Sequence, residues 1–243
     1  MSRVFMRVAH RVAVTCLAAA AAAPTAAFPP LVQAGAIGPG WRPVNLPQQT
    51  LPFTQYSVET VDGREALRVQ AQASYGNLVH EVKPAAAAPR LLKWSWRVQQ
   101  PNPASDPRTK AGDDLPLKVC LSFDLAADRV PFVERQLLRL ARSRTGEPLP
   151  AATLCWVWAA APVKGELLPN PYTRRVRYIV LRSMEDSSST WFEESRDVAA
   201  DFQRAFGDES PVLPPVTALI VSGDADNTGG ASLAHVSALR GEP

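Results

Sequence analysis

Alternation of apolar and polar positions is the dominant pattern in this chain. In the segment 91–98, Leu92, Trp94, Trp96 and Val98 fall on one face of an extended chain, with Lys93, Ser95 and Arg97 on the other. The same period of two recurs in 117–123, where Leu117, Val119, Leu121 and Phe123 share a face. It recurs again in 153–159, where Leu154, Trp156 and Trp158 oppose Cys155 and Val157. In 175–182, Val176, Tyr178 and Val180 alternate with Arg177, Ile179 and Leu181. Asp62-Gly63 is a tight-turn signal between alternating runs at 56–61 and 65–72, which predicts a hairpin. A short strand is expected at 78–82 and is closed off by the prolines from Pro84 to Pro89. The run 216–221 is apolar throughout, as a central strand would be, and 231–239 is expected to complete the sheet.

Two segments change period. Over 131–141, Phe132, Val133, Leu137, Leu140 and Ala141 form a helical stripe, Pro131 suits the first helical position and Glu134 the first turn. The expectation is a surface helix packed on the sandwich by that stripe. Its arginines would also suit a membrane or nucleic-acid surface. A second helix is expected over 193–206, with Val198, Phe202, Ala205 and Phe206 inward and Gly207 as its stop. Strands otherwise follow strands through Gly/Pro turns rather than through crossover helices. This predicts an all-β fold, a jelly-roll-like β-sandwich with one or two short inserted helices.

The first 27 residues stand apart. Arg3, Arg7 and Arg11 precede a short apolar run and small residues suited to cleavage, a secretory signal pattern. The expected organisation is a signal peptide at 1–27, an extended Pro/Gly-rich lead-in at 28–54 and one sandwich domain at 55–243. A periplasmic or secreted location follows, and no later stretch is apolar for long enough to span a membrane. The chain carries 26 basic and 23 acidic residues, and the three arginines of the leader account for the excess. The neutral remainder argues against nucleic-acid binding, which needs a basic footprint. Cys120 and Cys155 lie inside apolar strands and read as buried thiols, with a disulfide as the alternative.

Chemistry concentrates in two acidic turns. One is Lys110-Ala111-Gly112-Asp113-Asp114; the other runs from Gly223 through Asp224, Asp226 and Asn227 to Gly230. The two are expected to meet at one rim of the sandwich. Asp224 and Asp226 are candidate ligands for calcium, a hard cation that takes six to eight oxygens. The same residues also suit ordinary turn chemistry, with Asp and Asn side chains capping their own backbone. Lys110, Asp113, Asp114 and Asn227, with Trp191, Glu193 and Arg196, are the candidate ligand-binding residues. The Trp pairs 94/96 and 156/158 read as core, with a face for stacking on sugar rings as the alternative, and Trp191 as a candidate exposed platform for a sugar ring or a strand-edge core residue. No metal-spaced His/Cys cluster, nucleophile elbow or phosphate loop is present.

Taken in order, Trp94-Ser95-Trp96-Arg97-Val98, the turn 110–114, Leu154-Cys155-Trp156-Val157-Trp158, Asn170-Pro171, the run from Trp191 to Val198, Asp201-Phe202, Phe206-Gly207 and the turn 224–229 resemble the bacterial domain-of-unknown-function family 3047. That resemblance implies export and a β-sandwich, and assigns no catalytic residue. The function expected is binding of a carbohydrate or another envelope ligand. The alternatives are a carbohydrate-active hydrolase using paired carboxylates, and a structural or protein-interaction module.

Overall fold

A computed structural model describes residues 28–45, 49–145, 148–160, 164–186 and 190–243. The expected signal segment lies outside the described residues. The strands are β1 (Val32–Gln33), β2 (Ala36–Ile37), β3 (Trp41–Val44), β4 (Gln55–Val61), β5 (Arg64–Gln72), β6 (Asn77–Ala86), β7 (Leu91–Gln100), β8 (Leu117–Phe123), β9 (Ala152–Trp158), β10 (Leu167–Pro169), β11 (Val176–Arg182), β12 (Phe192–Asp197), β13 (Val216–Ser222) and β14 (Ala231–Glu242). Two helices are inserted, α1 (Phe132–Thr145) and α2 (Val198–Phe206). A seven-stranded sheet in the order β10-β11-β9-β8-β13-β6-β3 packs on a five-stranded sheet in the order β12-β7-β14-β5-β4. This is a jelly-roll-like β-sandwich.

The alternation seen in the sequence becomes the core. Trp94 and Trp96 from β7 face Trp156 and Trp158 from β9 across the two sheets, with ring centroids 5.6 Å apart in each facing pair. Trp94 and Trp96 meet edge to face at 5.4 Å, a favoured geometry for aromatic quadrupoles. Three of the four indole N–H groups find partners: Trp156 Nε1 donates to Asp201 at 2.7 Å, Trp96 Nε1 to Glu194 at 3.0 Å and Trp158 Nε1 to Ser183 O at 3.1 Å, while Trp94 Nε1 has none among the described residues. The hairpin at Asp62-Gly63 forms as expected, with both residues at positive φ.

Several elements differ from the sequence reading. Trp41–Val44 is the edge strand of the larger sheet, paired to β6, where an unpatterned lead-in was expected. Strand β6 continues past Pro84 to Ala86, because its end bridges Val216 of β13. The second helix begins at Val198. Residues 192–197 instead alternate, Phe192, Glu194 and Arg196 against Glu193, Ser195 and Asp197, and this period of two lets them pair with β7 at the sheet edge. Asp197 ends the strand and starts the helix, its carboxylate accepting from Ala200 N. Cys120 and Cys155 form a disulfide, since β8 and β9 place them directly opposite one another. Finally, the apolar stripe of α1 does not pack on the sheets. Leu138 is its buried residue, while Phe132, Val133, Leu137 and Leu140 face outward. The side toward the body is held by polar contacts, Arg142 Nε to Leu149 O at 2.8 Å and Glu134 to Arg175 Nε at 2.9 Å.

Candidate functional site

The outer face of the larger sheet carries a cleft of about 1150 Å³. Period-two alternation aims its floor: Leu117, Val119 and Leu121 go to the core, so Lys118, Cys120 and Ser122 of β8 face outward. Neighbouring strands add Val79 from β6, Cys155 from β9, Val176 and Tyr178 from β11, and Ile220 from β13. Much of the floor is therefore apolar, and the Cys120–Cys155 disulfide forms part of it, tying β8 to β9.

One end of the cleft is polar, and there the two acidic turns meet. A short 3₁₀ turn at Lys110–Gly112, capped by the Thr109 hydroxyl accepting from Gly112 N, delivers Asp113 and Asp114. Asp114 works as a latch. One of its oxygens accepts from Asn227 N at 3.0 Å and the other from Thr228 N at 2.6 Å. Asn227 answers by donating its side-chain amide to Asp113 O at 3.2 Å. The turns approach so closely at Gly223 that a Cβ there would lie 2.6 Å from the Pro116 carbonyl oxygen. Asp224 is buried; one oxygen accepts from Leu115 N at 2.7 Å and the other pairs with the buried Lys118 ammonium.

Asp113 points its carboxyl at a third element. It accepts from Asn170 Nδ2 at 2.6 Å and from the Tyr178 hydroxyl at 3.2 Å. Asn170 is set by an Asx turn, its side-chain oxygen accepting from Tyr172 N and Thr173 N at 2.9 and 3.0 Å. Tyr172 then crosses the mouth. Its hydroxyl reaches Asn227 Oδ1 at 2.6 Å and Lys110 O at 3.1 Å, and the Lys110 ammonium lies 5.3 Å from its ring centre.

Electrostatics follow from this crowding. Burial pushes the Asp113 carboxyl up to about 7, with the Asp224 carboxylate adding to the effect and Lys118 and the two hydrogen bonds opposing it. Burial and then the carboxylates of Asp224 and Asp114 raise Asp226 to about 6. One oxygen of Asp226 is buried with no hydrogen-bond partner among the described residues. Burial opposes the charge on Lys118, but Asp224 first and then Tyr178 and Asp113 outweigh it and hold the ammonium protonated. Tyr178 is raised as well, chiefly by burial. The cleft thus holds a lysine cation beside carboxyls that give up their protons only near pH 6 to 7.

Of the two residues nominated for calcium, Asp224 has both oxygens engaged, while Asp226 keeps an oxygen without a partner among the described residues. Asp224 is committed to Lys118 and Leu115, and Asp114 to two backbone N–H groups. Among the described residues no three of His, Cys, Asp and Glu form a group that could hold a metal ion. Calcium takes six to eight oxygens, and of the two nominated residues Asp226 has a free oxygen to offer; both belong to the polar cluster around Lys118.

Lys110, Asp113, Asp114, Asp224, Asp226 and Asn227 therefore come together, while Trp191, Glu193 and Arg196 sit elsewhere. Trp191 lies half-buried on the outer face of the smaller sheet, between the guanidinium groups of Arg64 and Arg97 at 5.6 and 5.8 Å. Glu193 is exposed beside Arg64. Arg196 clamps Asp201 through two bonds of 2.8 and 2.7 Å, bracing the start of α2. Lys118, Asn170, Tyr172 and Tyr178 were not nominated from sequence. The available signal was Lys118 itself, a cation on the strand face shared with Cys120.

Comparison with known proteins adds a family and little else. The family described as protein of unknown function (DUF3047) matches residues 39–240. No curated protein matches the chain. Among solved structures, the X-ray crystal structure of Trichoderma harzianum endoglucanase 3 from family GH12 is 11% identical with a TM-score of 0.41, covering 91% of this chain and 100% of that one. A superposition of that quality carries no functional argument. No helix among the described residues is long and apolar enough to cross a membrane.

Proposed function

The chain belongs to the DUF3047 family of proteins of unknown function, and from its own geometry we propose that it is an exported binding protein whose cleft takes an extended, hydroxyl-rich envelope ligand of the carbohydrate class. The observation that carries this reading is the polar end of the cleft. There Asp113, Asp226, Asn170 and Asn227 offer carboxyl and amide groups beside the exposed ring of Tyr172. Sugar rings combine apolar faces with equatorial hydroxyls, so an aromatic face next to convergent acceptors and donors complements them. The volume of about 1150 Å³ is just above the usual range of small-ligand pockets, which suits several residues of an oligomer better than one monosaccharide.

Screening the purified chain on a glycan array, followed by calorimetry on the best glycan, tests this. Tyr172→Ala is expected to weaken that glycan about fivefold, on the order of 1 kcal/mol for one aromatic contact. An array that retains no glycan, or a glycan bound equally by wild type and Tyr172→Ala, overturns the reading.

A second reading is favoured by one observation, the two carboxyls raised to about 7 and about 6. A protonated carboxyl beside an ionisable one is the arrangement of acid/base chemistry on glycosidic bonds. Release of reducing ends from the bound glycan, lost in both Asp113→Asn and Asp226→Asn, would make the protein a hydrolase. Binding without release leaves it a binding protein.

A further inference from the structure

Helix α1 exposes apolar surface that its own fold does not use. At about 100° per residue, Phe132, Gln136, Leu140, Val133 and Leu137 fall within one arc of about 140°. Along that arc Phe132 is 66%, Val133 67%, Leu137 61% and Leu140 48% exposed. The buried Leu138 lies on the opposite side. Isolated exposed leucines are ordinary, but four large apolar side chains on one helical stripe are a continuous patch.

The exposed charge on and beside the stripe is of one sign. Arg139 borders it on one edge and Arg144 lies within it at its C-terminal end, both exposed, and the guanidinium of Arg135 covers the Phe132 ring at 5.7 Å. Glu134 is the acid of this helix, and it turns toward the body, where it pairs with Arg174 and Arg175. The outward face thus offers apolar side chains and arginines with no carboxylate between them. A water-soluble protein partner would need matching acids and a groove. An anionic bilayer surface meets both demands at once, burying the stripe at the acyl boundary and placing phosphates beside the arginines.

We propose that α1 lies in the plane of an anionic lipid surface, with Phe132, Val133, Leu137 and Leu140 inserted and Arg139 and Arg144 on the headgroup phosphates. This stands on the helix alone and holds whether or not the cleft binds a glycan.

Flotation of the purified chain with lipid vesicles tests it. Vesicles of mixed phosphatidylglycerol and phosphatidylcholine are expected to carry the protein up, pure phosphatidylcholine vesicles to carry much less, and raised salt to release it. The double substitution Leu137→Glu and Leu140→Glu is expected to cut partitioning by more than about 100-fold. Arg139→Gln with Arg144→Gln should cut it about 25-fold, roughly fivefold per arginine. Because these positions face outward, unchanged thermal melting confirms that each variant is folded. Absence of flotation on anionic vesicles overturns the proposal, as does equal flotation of the Leu137→Glu, Leu140→Glu protein or equal binding to both vesicle types. A wild-type dimer on size exclusion that this variant dissociates, with no vesicle binding, would assign the face to a second copy and also overturn it.

Discussion

Arg175, just ahead of β11, and Lys118, on β8, are both buried cations, and their surroundings differ in how fully their charge is matched. Arg175 makes a bidentate pair with the buried Glu209, one bond at 2.8 Å, and also reaches Glu134. Glu209 in turn holds Arg177, whose guanidinium lies 4.2 Å from the Phe206 ring centre. Planar forks and carboxylates answer one another here, the geometry for which arginine is suited. Around Lys118 the account is unbalanced. One ammonium faces Asp224 and Asp113, with Asp226 near enough to Asp224 to be raised by it. Surplus carboxylate in a buried site takes up protons. The first cluster is what a structural clasp looks like, and the second is what a group kept ready for a ligand or a proton transfer looks like.

The comparison can be broken at four points. Glu209→Leu leaves Arg175 and Arg177 together without their shared counter-charge, and is expected to cost about 3–5 kcal/mol in denaturant unfolding. A loss below about 1 kcal/mol would mean that the clasp is not structural. Lys118→Met should cost less, about 2–3 kcal/mol at neutral pH, because the Asp224 it strands can take a proton. The double variant Lys118→Met, Asp224→Leu should then recover most of that loss in the same measurement, since an apolar pair can replace a buried ion pair. Failure to recover would show that Asp224 also holds the turn through Leu115 N.

The third point is the pH profile. Asp113 has a folded pKa of about 7, above its usual value of 3.8. The unfolded chain therefore loses this proton first as pH rises. Stability from this group is complete below about pH 4 and falls away as pH climbs to about 7, by up to about 4 kcal/mol. Asp113→Asn should flatten that decline across pH 4–7. A wild-type-like slope in the variant would remove Asp113 from the proton-bearing cluster. The smallest effect belongs to the rim of the clasp. Asp208, largely exposed, pairs with Arg177 at 3.2 Å, and Asp208→Ala should change stability by less than about 0.5 kcal/mol. A larger loss there would mean that the clasp extends to the surface.

Local patterning alone determined much of this molecule. The inner faces of β7, β8 and β9 can be read directly from Trp94/Trp96, Leu117 to Phe123 and Trp156/Trp158, because burial on a strand repeats every second residue and is written into neighbouring positions. The hairpin at Asp62-Gly63 is legible for the same local reason. What the tertiary structure decided are the pairings between distant residues. Lys118 meets Asp224 across 106 positions and Asp114 meets Asn227 across 113, and strand order and register set both meetings. The disulfide likewise depends on the register of β8 against β9, which no property of either cysteine encodes. Helix α1 shows the converse case: its stripe is plain in the sequence, yet the side turned inward carries Leu138 in the core, with Glu134 meeting Arg175 and Arg142 meeting Leu149 O. Periodicity says which residues share a face, and long-range charge and register say what that face meets.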